Sequence, residues 1–108
     1  MKETALWLVG ARTRIRVVGA SMEPTLREGE FVLIDSNKVP RQGDLAVFTH
    51  PKMADVSVVK RVTEIDGSGD FIVSCDNPLE GSDSRTWGPL AADSVKGAVT
   101  IVLDRPTD

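Results

Sequence analysis

The chain has 108 residues, 13 Lys and Arg against 16 Asp and Glu, and 41% hydrophobic residues. That length suits one domain with a modest core, and a net charge of -3 leaves no basic footprint for DNA or RNA. The lone Cys75 excludes an internal disulfide, and one Cys with one His cannot build a Cys/His zinc site, so no metal or cofactor is expected.

The chain starts with its longest apolar run, Ala5 to Ala11, whereas a spanning helix needs about 20 residues. No small-residue cleavage site follows it, and Arg12, Arg14 and Arg16 come next, which fits a signal peptide poorly. The expectation is a soluble protein of a reducing, cytoplasmic compartment. Leu6 to Val9, after Lys2 and Glu3, suit one or two helical turns in an N-terminal arm, residues 1–14, packed on a domain of residues 15–108. A contact of Trp7 with a membrane surface or a substrate groove is the alternative.

From Ile15 onward the pattern favours strands. Ile15–Val18, Phe31–Ile34, Leu45–Phe48, Val56–Val62, Phe71–Val73 and Val95–Leu103 are β-branched or aromatic runs. Turn chemistry separates them, at Glu28-Gly29-Glu30, at Pro40 to Asp44 and at Asp66 to Asp70. No later stretch reads as a long amphipathic helix. The expected fold is all-β, a small, mostly antiparallel coiled sheet or barrel.

Alternation along Val56–Val62 places Val56, Val58, Lys60 and Val62 on one face, with Ser57, Val59, Arg61 and Thr63 on the more solvent-compatible one. An ammonium among valines is costly. Burial favours the neutral amine, which is the form a general base requires. The plainer alternative is that Lys60 snorkels past its valines to water. A candidate nucleophile precedes it: Ser21, after Gly19 and Ala20 and before Met22, Glu23 and Pro24. The small residues allow close backbone approach, and Pro24 stiffens the turn. Serine is a poor nucleophile until a neighbouring base takes its proton, and lysine is one such base. Taken alone, Ser21 reads more readily as a turn serine.

Together these segments resemble type I signal peptidases. Gly19 to Leu26, followed by Gly29-Glu30-Phe31-Val32, resembles the nucleophile box; Gly43 to Val47 the strand after it; Val59-Lys60-Arg61-Val62 the lysine box. Asp76-Asn77 with Ser82 to Pro89 resembles the C-terminal box, and Val95 to Val99 the closing strand. The resemblance implies an all-β serine endopeptidase with Ser21 as nucleophile and Lys60 as general base. It further implies an oxyanion hole near Gly19 using the Ser21 N–H, and Asp83 and Arg85 as an ion-paired support. Met22 and Pro24 are expected beside bound substrate, with Met22 as a gap-filling core residue the alternative.

Two departures stand out. Cys75 precedes Asp76-Asn77 where the family has glycine, and Gly81 falls where many members carry a lysine-orienting serine. Ser82 in a shifted loop, a water or a backbone carbonyl would then orient Lys60. The family's membrane span and large inserted domain are not evident, and His50-Pro51 with Asp76-Asn77-Pro78 resembles the compact maturation proteases of nickel-type superoxide dismutase. The implied partner is a precursor protein with an extended N-terminal segment, such as that dismutase's precursor; a membrane contact is not required. The alternatives are a catalytic domain trimmed of its anchor, a non-catalytic peptide-binding β-module and a self-cleaving domain related to Ser/Lys repressors. Of the remaining residues, His50 is expected at a strand end, Cys75 as a buried strand residue, and Trp87 as a core or loop anchor.

Overall fold

The computed structural model describes residues 12–103. Its β-branched and aromatic runs form six strands: β1 (Arg12–Arg16), β2 (Phe31–Asp35), β3 (Leu45–His50), β4 (Met53–Ile65), β5 (Phe71–Ser74) and β6 (Val95–Leu103). One helical turn, α1 (Ser84–Trp87), and a 3-10 turn at Ala92–Ser94 lie between β5 and β6. The strands make one sheet in the order β1-β2-β6-β3-β4-β5, antiparallel throughout. The sheet is all-β as expected and does not close, since β1 and β5 are its two edges.

Five of the six strands contain the stretch expected from the sequence, and β4 extends it at both ends. The first strand starts earlier, at Arg12, because pairing with β2 sets Ile15 opposite Val32 and Arg16 opposite Phe31. Val17 then leaves the ladder, although its N–H still bonds Glu30 O at 2.7 Å. The helical turns expected at 2–11 lie outside the described residues. Among the described residues no helix is long and apolar enough to cross a membrane.

Strand β3 is central, with β6 on one edge and β4 on the other. Its Ala46, Val47 and Phe48 are all fully buried, so this strand is covered on both faces. Val47 joins Val17, Met22, Leu26, Val32 and Ile34 in one apolar cluster. Ala46 and Phe48 join Val62, Phe71, Val73 and Leu90 in the other, where Phe48 meets Phe71 edge-to-face at 5.4 Å between ring centroids. Register shifts between Val47 and Phe48, and between Leu33 and Ile34, mark bulges that add to the coiling of the sheet. In β4 the alternation holds for Val58 and Val62, which pack with the second cluster, but not for Val56, which is exposed. Its opposite face is less solvated than expected, because Val59 packs against the first cluster. Lys60 lies directly across the ladder from Ala46, whose single methyl leaves the lysine stem room on that face.

Phe48→Ala removes a wholly buried ring at this junction, and is expected to cost about 3–5 kcal/mol in urea unfolding.

Candidate active site

The segment after β1 enters a compact turn. Gly19 has φ of +85°, a backbone conformation that glycine adopts without a Cβ penalty. The turn is closed by Glu23 N–H to Ala20 O at 3.1 Å and Leu26 N–H to Met22 O at 2.9 Å. Met22 and Leu26 are buried in the first cluster and anchor it. Pro24, expected beside substrate, is exposed and does not line the cleft at Ser21. Ser21 stays half-buried, and among the described residues no backbone acceptor takes its N–H.

Lys60 does not snorkel to water. It is 4% exposed, and its Nζ lies 3.2 Å from Ser21 Oγ across 39 residues of sequence. The same nitrogen lies 3.4 Å from Cys75 Sγ and 5.8 Å from the centroid of the Trp87 ring. Among the described residues neither of the two ion pairs includes Lys60; they are Arg61–Asp76 and Arg85–Asp83. The structure thus brings a serine hydroxyl and a buried amine together among neutral neighbours.

The segment after β5 braces this contact. Asp83 is 1% exposed; its Oδ2 accepts the Cys75 N–H at 2.9 Å, and its Oδ1 accepts Arg85 N–H at 3.0 Å and Arg85 Nε–H at 2.8 Å. Burial alone would raise the Asp83 pKa, but the arginine and the two backbone donors prevail and hold it at about 2. Asp76 takes both Arg61 Nε, at 3.2 Å, and Arg61 Nη2, at 2.6 Å, and also accepts the Thr25 hydroxyl at 2.5 Å. The Arg61 hydrogen bonds hold its carboxyl below the usual range, against burial and with help from Thr25. Asn77 completes the brace: its N–H reaches Ser21 O at 2.8 Å and its Nδ2 reaches Ala20 O at 3.2 Å.

Ser82 does not orient Lys60. Its side chain is exposed, and it turns its carbonyl inward, where Cys75 Sγ donates to it at 3.4 Å. Gly81, just before it, packs so closely that an added Cβ would stand 2.7 Å from Ser21 Cβ, 3.2 Å from Cys75 Sγ and 3.6 Å from Lys60 Nζ. His50 ends β3, where its Nδ1 accepts the Lys52 N–H at 3.0 Å and its ring meets Trp87 at 4.9 Å. Trp87 packs against the second apolar cluster as an anchor.

Ser21 and Lys60 open on a cleft of about 130 Å³ bordered by Ile15 to Val18 on one side and Ser57 to Lys60 on the other. Met22, though 2% exposed, also lines it. Strand β5 pairs with β4 only over Arg61–Ile65, so the edge of β4 that faces away from β3 is unpaired alongside Ser57–Lys60 among the described residues. Sequence reading did not single out Thr25, the Arg61–Asp76 pair, the Asn77 brackets or the Cys75 contact. The available signal was an arginine beside the lysine on a valine-rich strand and an acid just after β5.

Because the Asp83 carboxyl titrates lower when folded than its ordinary 3.8, its stabilisation is complete above that value and fades as pH falls towards 2. Asp76, shifted in the same direction, adds to this. Acid unfolding of Asp83→Asn should therefore show a shallower loss of stability across that window than the wild type. Asp83→Ala, which strands the buried Cys75 N–H, should cost about 1–3 kcal/mol at neutral pH.

Comparison with known proteins places these residues in a family. Over 50 residues the chain is 42% identical to Signal peptidase I of Aquifex aeolicus (strain VF5), a match taking in 43% of this chain and 20% of that protein. The matched stretch thus spans about a fifth of the relative's length. The family model for Peptidase S24-like proteins matches residues 9–85, a span that holds Ser21, Lys60, Cys75, Asp83 and Arg85. With most of its length matched, the chain belongs to the Peptidase S24-like family.

Proposed function

We propose that this domain is a serine endopeptidase in which Ser21 is the nucleophile and Lys60 its general base. The observation that carries the reading is the 3.2 Å contact between Lys60 Nζ and Ser21 Oγ, made by an amine that is 4% exposed and opens on a cleft. Family membership and the likeness to a signal peptidase support it.

With the amine neutral, the Ser21 hydroxyl donates across that same contact. As Oγ bonds to the scissile carbonyl carbon, its proton passes to Nζ, and negative charge gathers on the carbonyl oxygen. The Ser21 N–H, free of backbone acceptors among the described residues, is placed to stabilise that oxygen. The ammonium then returns its proton to the leaving amine, the C–N bond breaks, and water repeats the sequence on the acyl-enzyme. An extended peptide fits the cleft by adding main-chain hydrogen bonds to the unpaired edge at Ser57–Lys60. Val18, 75% exposed, gives this entrance an apolar lip.

The substrate on this reading is a precursor protein cut within an extended N-terminal segment. A nickel superoxide dismutase precursor is the specific candidate, supported by the resemblance at His50-Pro51 and Asp76-Asn77-Pro78. The test is intact-mass analysis of that precursor, and of secretory precursors, after incubation with wild type, Ser21→Ala and Lys60→Ala. A single N-terminal segment should be lost with wild type only. Full activity in either variant ends the dyad reading, and cleavage confined to secretory precursors replaces the substrate assignment.

A further inference from the structure

Something must hold the Lys60 amine in line with Ser21, and the Ser82 hydroxyl does not reach it. We propose that the thiol of Cys75 is the positioning residue for Lys60, and that Gly81 supplies the opening its sulfur requires. This rests on the Ser/Lys reading above and names a part of that site.

Cys75 Sγ lies 3.4 Å from Lys60 Nζ, and both residues are buried. The thiol donates to Ser82 O at 3.4 Å, which points its hydrogen away from the amine and leaves sulfur lone pairs facing Nζ. One N–H of the amine settles on sulfur while the nitrogen keeps its place beside Ser21 Oγ. The sulfur itself is held, because the Cys75 N–H is bonded to Asp83 Oδ2 at 2.9 Å and Asp83 is clamped by Arg85. The groups facing the amine are therefore Ser21 from the turn, Cys75 after β5 and the Trp87 ring of α1. The acids of the same segment, Asp76 and Asp83, are each bound to an arginine.

Position 81 is the steric complement. A Cβ there would stand 3.2 Å from Cys75 Sγ and 2.7 Å from Ser21 Cβ, both closer than ordinary contact. A side chain at 81 would meet Ser21 first and Cys75 next, so the space beside Lys60 is left to the sulfur from 75.

The experiment compares wild type, Cys75→Ala and Cys75→Ser in two readouts, with folding checked by thermal unfolding. The first is the pH dependence of kcat and KM on a cleavable precursor peptide. The second is the titration of the Lys60 ¹⁵Nζ resonance in ¹⁵N-lysine-labelled protein, assigned with Lys60→Met, which needs no substrate. Cys75→Ala should lower kcat about 10- to 100-fold with KM little changed, as misplacement of a catalytic group does. Its Lys60 titration midpoint should move away from that of the wild type, and Cys75→Ser should restore both. Wild-type kcat and titration in Cys75→Ala overturn the proposal. So does a fall in kcat that serine does not restore while the titration stays put, since that is a packing role. If wild type cuts nothing yet the Lys60 titration moves with Cys75, the positioning stands and the peptidase reading falls.

Discussion

The structure is organised around one amine kept out of water. An alkylammonium or amine enclosed by apolar side chains is stable only where its polar atom has partners, and Lys60 finds them in the Ser21 hydroxyl and the Cys75 thiol. Neither partner is near it in sequence: Ser21 lies 39 residues before it and Cys75 15 residues after. The turn at 21–26 and the segment at 75–83 must therefore close on β4 together. The sheet makes that possible, because β3 is buried on both faces and fixes β4 against it through the Ala46–Lys60 pair.

The charged groups around the site are disposed so that they tie segments together without touching that amine. Asp76 joins three parts of the chain, β4 through Arg61, the serine turn through Thr25 and its own loop. Asp83 joins the Cys75 backbone to α1. Each carboxylate is committed to an arginine, and a carboxylate with hydrogen-bonded partners on both oxygens has little reason to reach elsewhere. The centre is left with a hydroxyl, a thiol and an aromatic ring as the neighbours of Lys60. Ion pairs thus stand at the margin and neutral groups at the centre.

The cleft follows from the same closure. Strand β5 is short and covers only the second half of β4, so the backbone beside Lys60 keeps an unpaired edge. The chain leaving β1 borders the opposite side of that gap. An open edge is usually a liability; here it lies beside a serine hydroxyl, where the proposed substrate would pair.

Much of this was readable from residue order. The all-β fold, the six strand locations and the apolar face of Val58, Lys60 and Val62 follow from local alternation and turn residues, because a strand's side-chain period is a property of the strand itself. The early start of β1 was not, since its extent depends on pairing with β2. Nor was the second partner of Lys60: Gly81 and Ser82 stood at the expected place, yet the thiol of Cys75 made the contact. The sequence by itself determined where the strands lie and which neighbouring residues share a face. Only the tertiary structure decided who meets whom, because the closing of one loop onto Ser21, with room for a sulfur and none for a Cβ at 81, is set by packing between segments far apart in the chain.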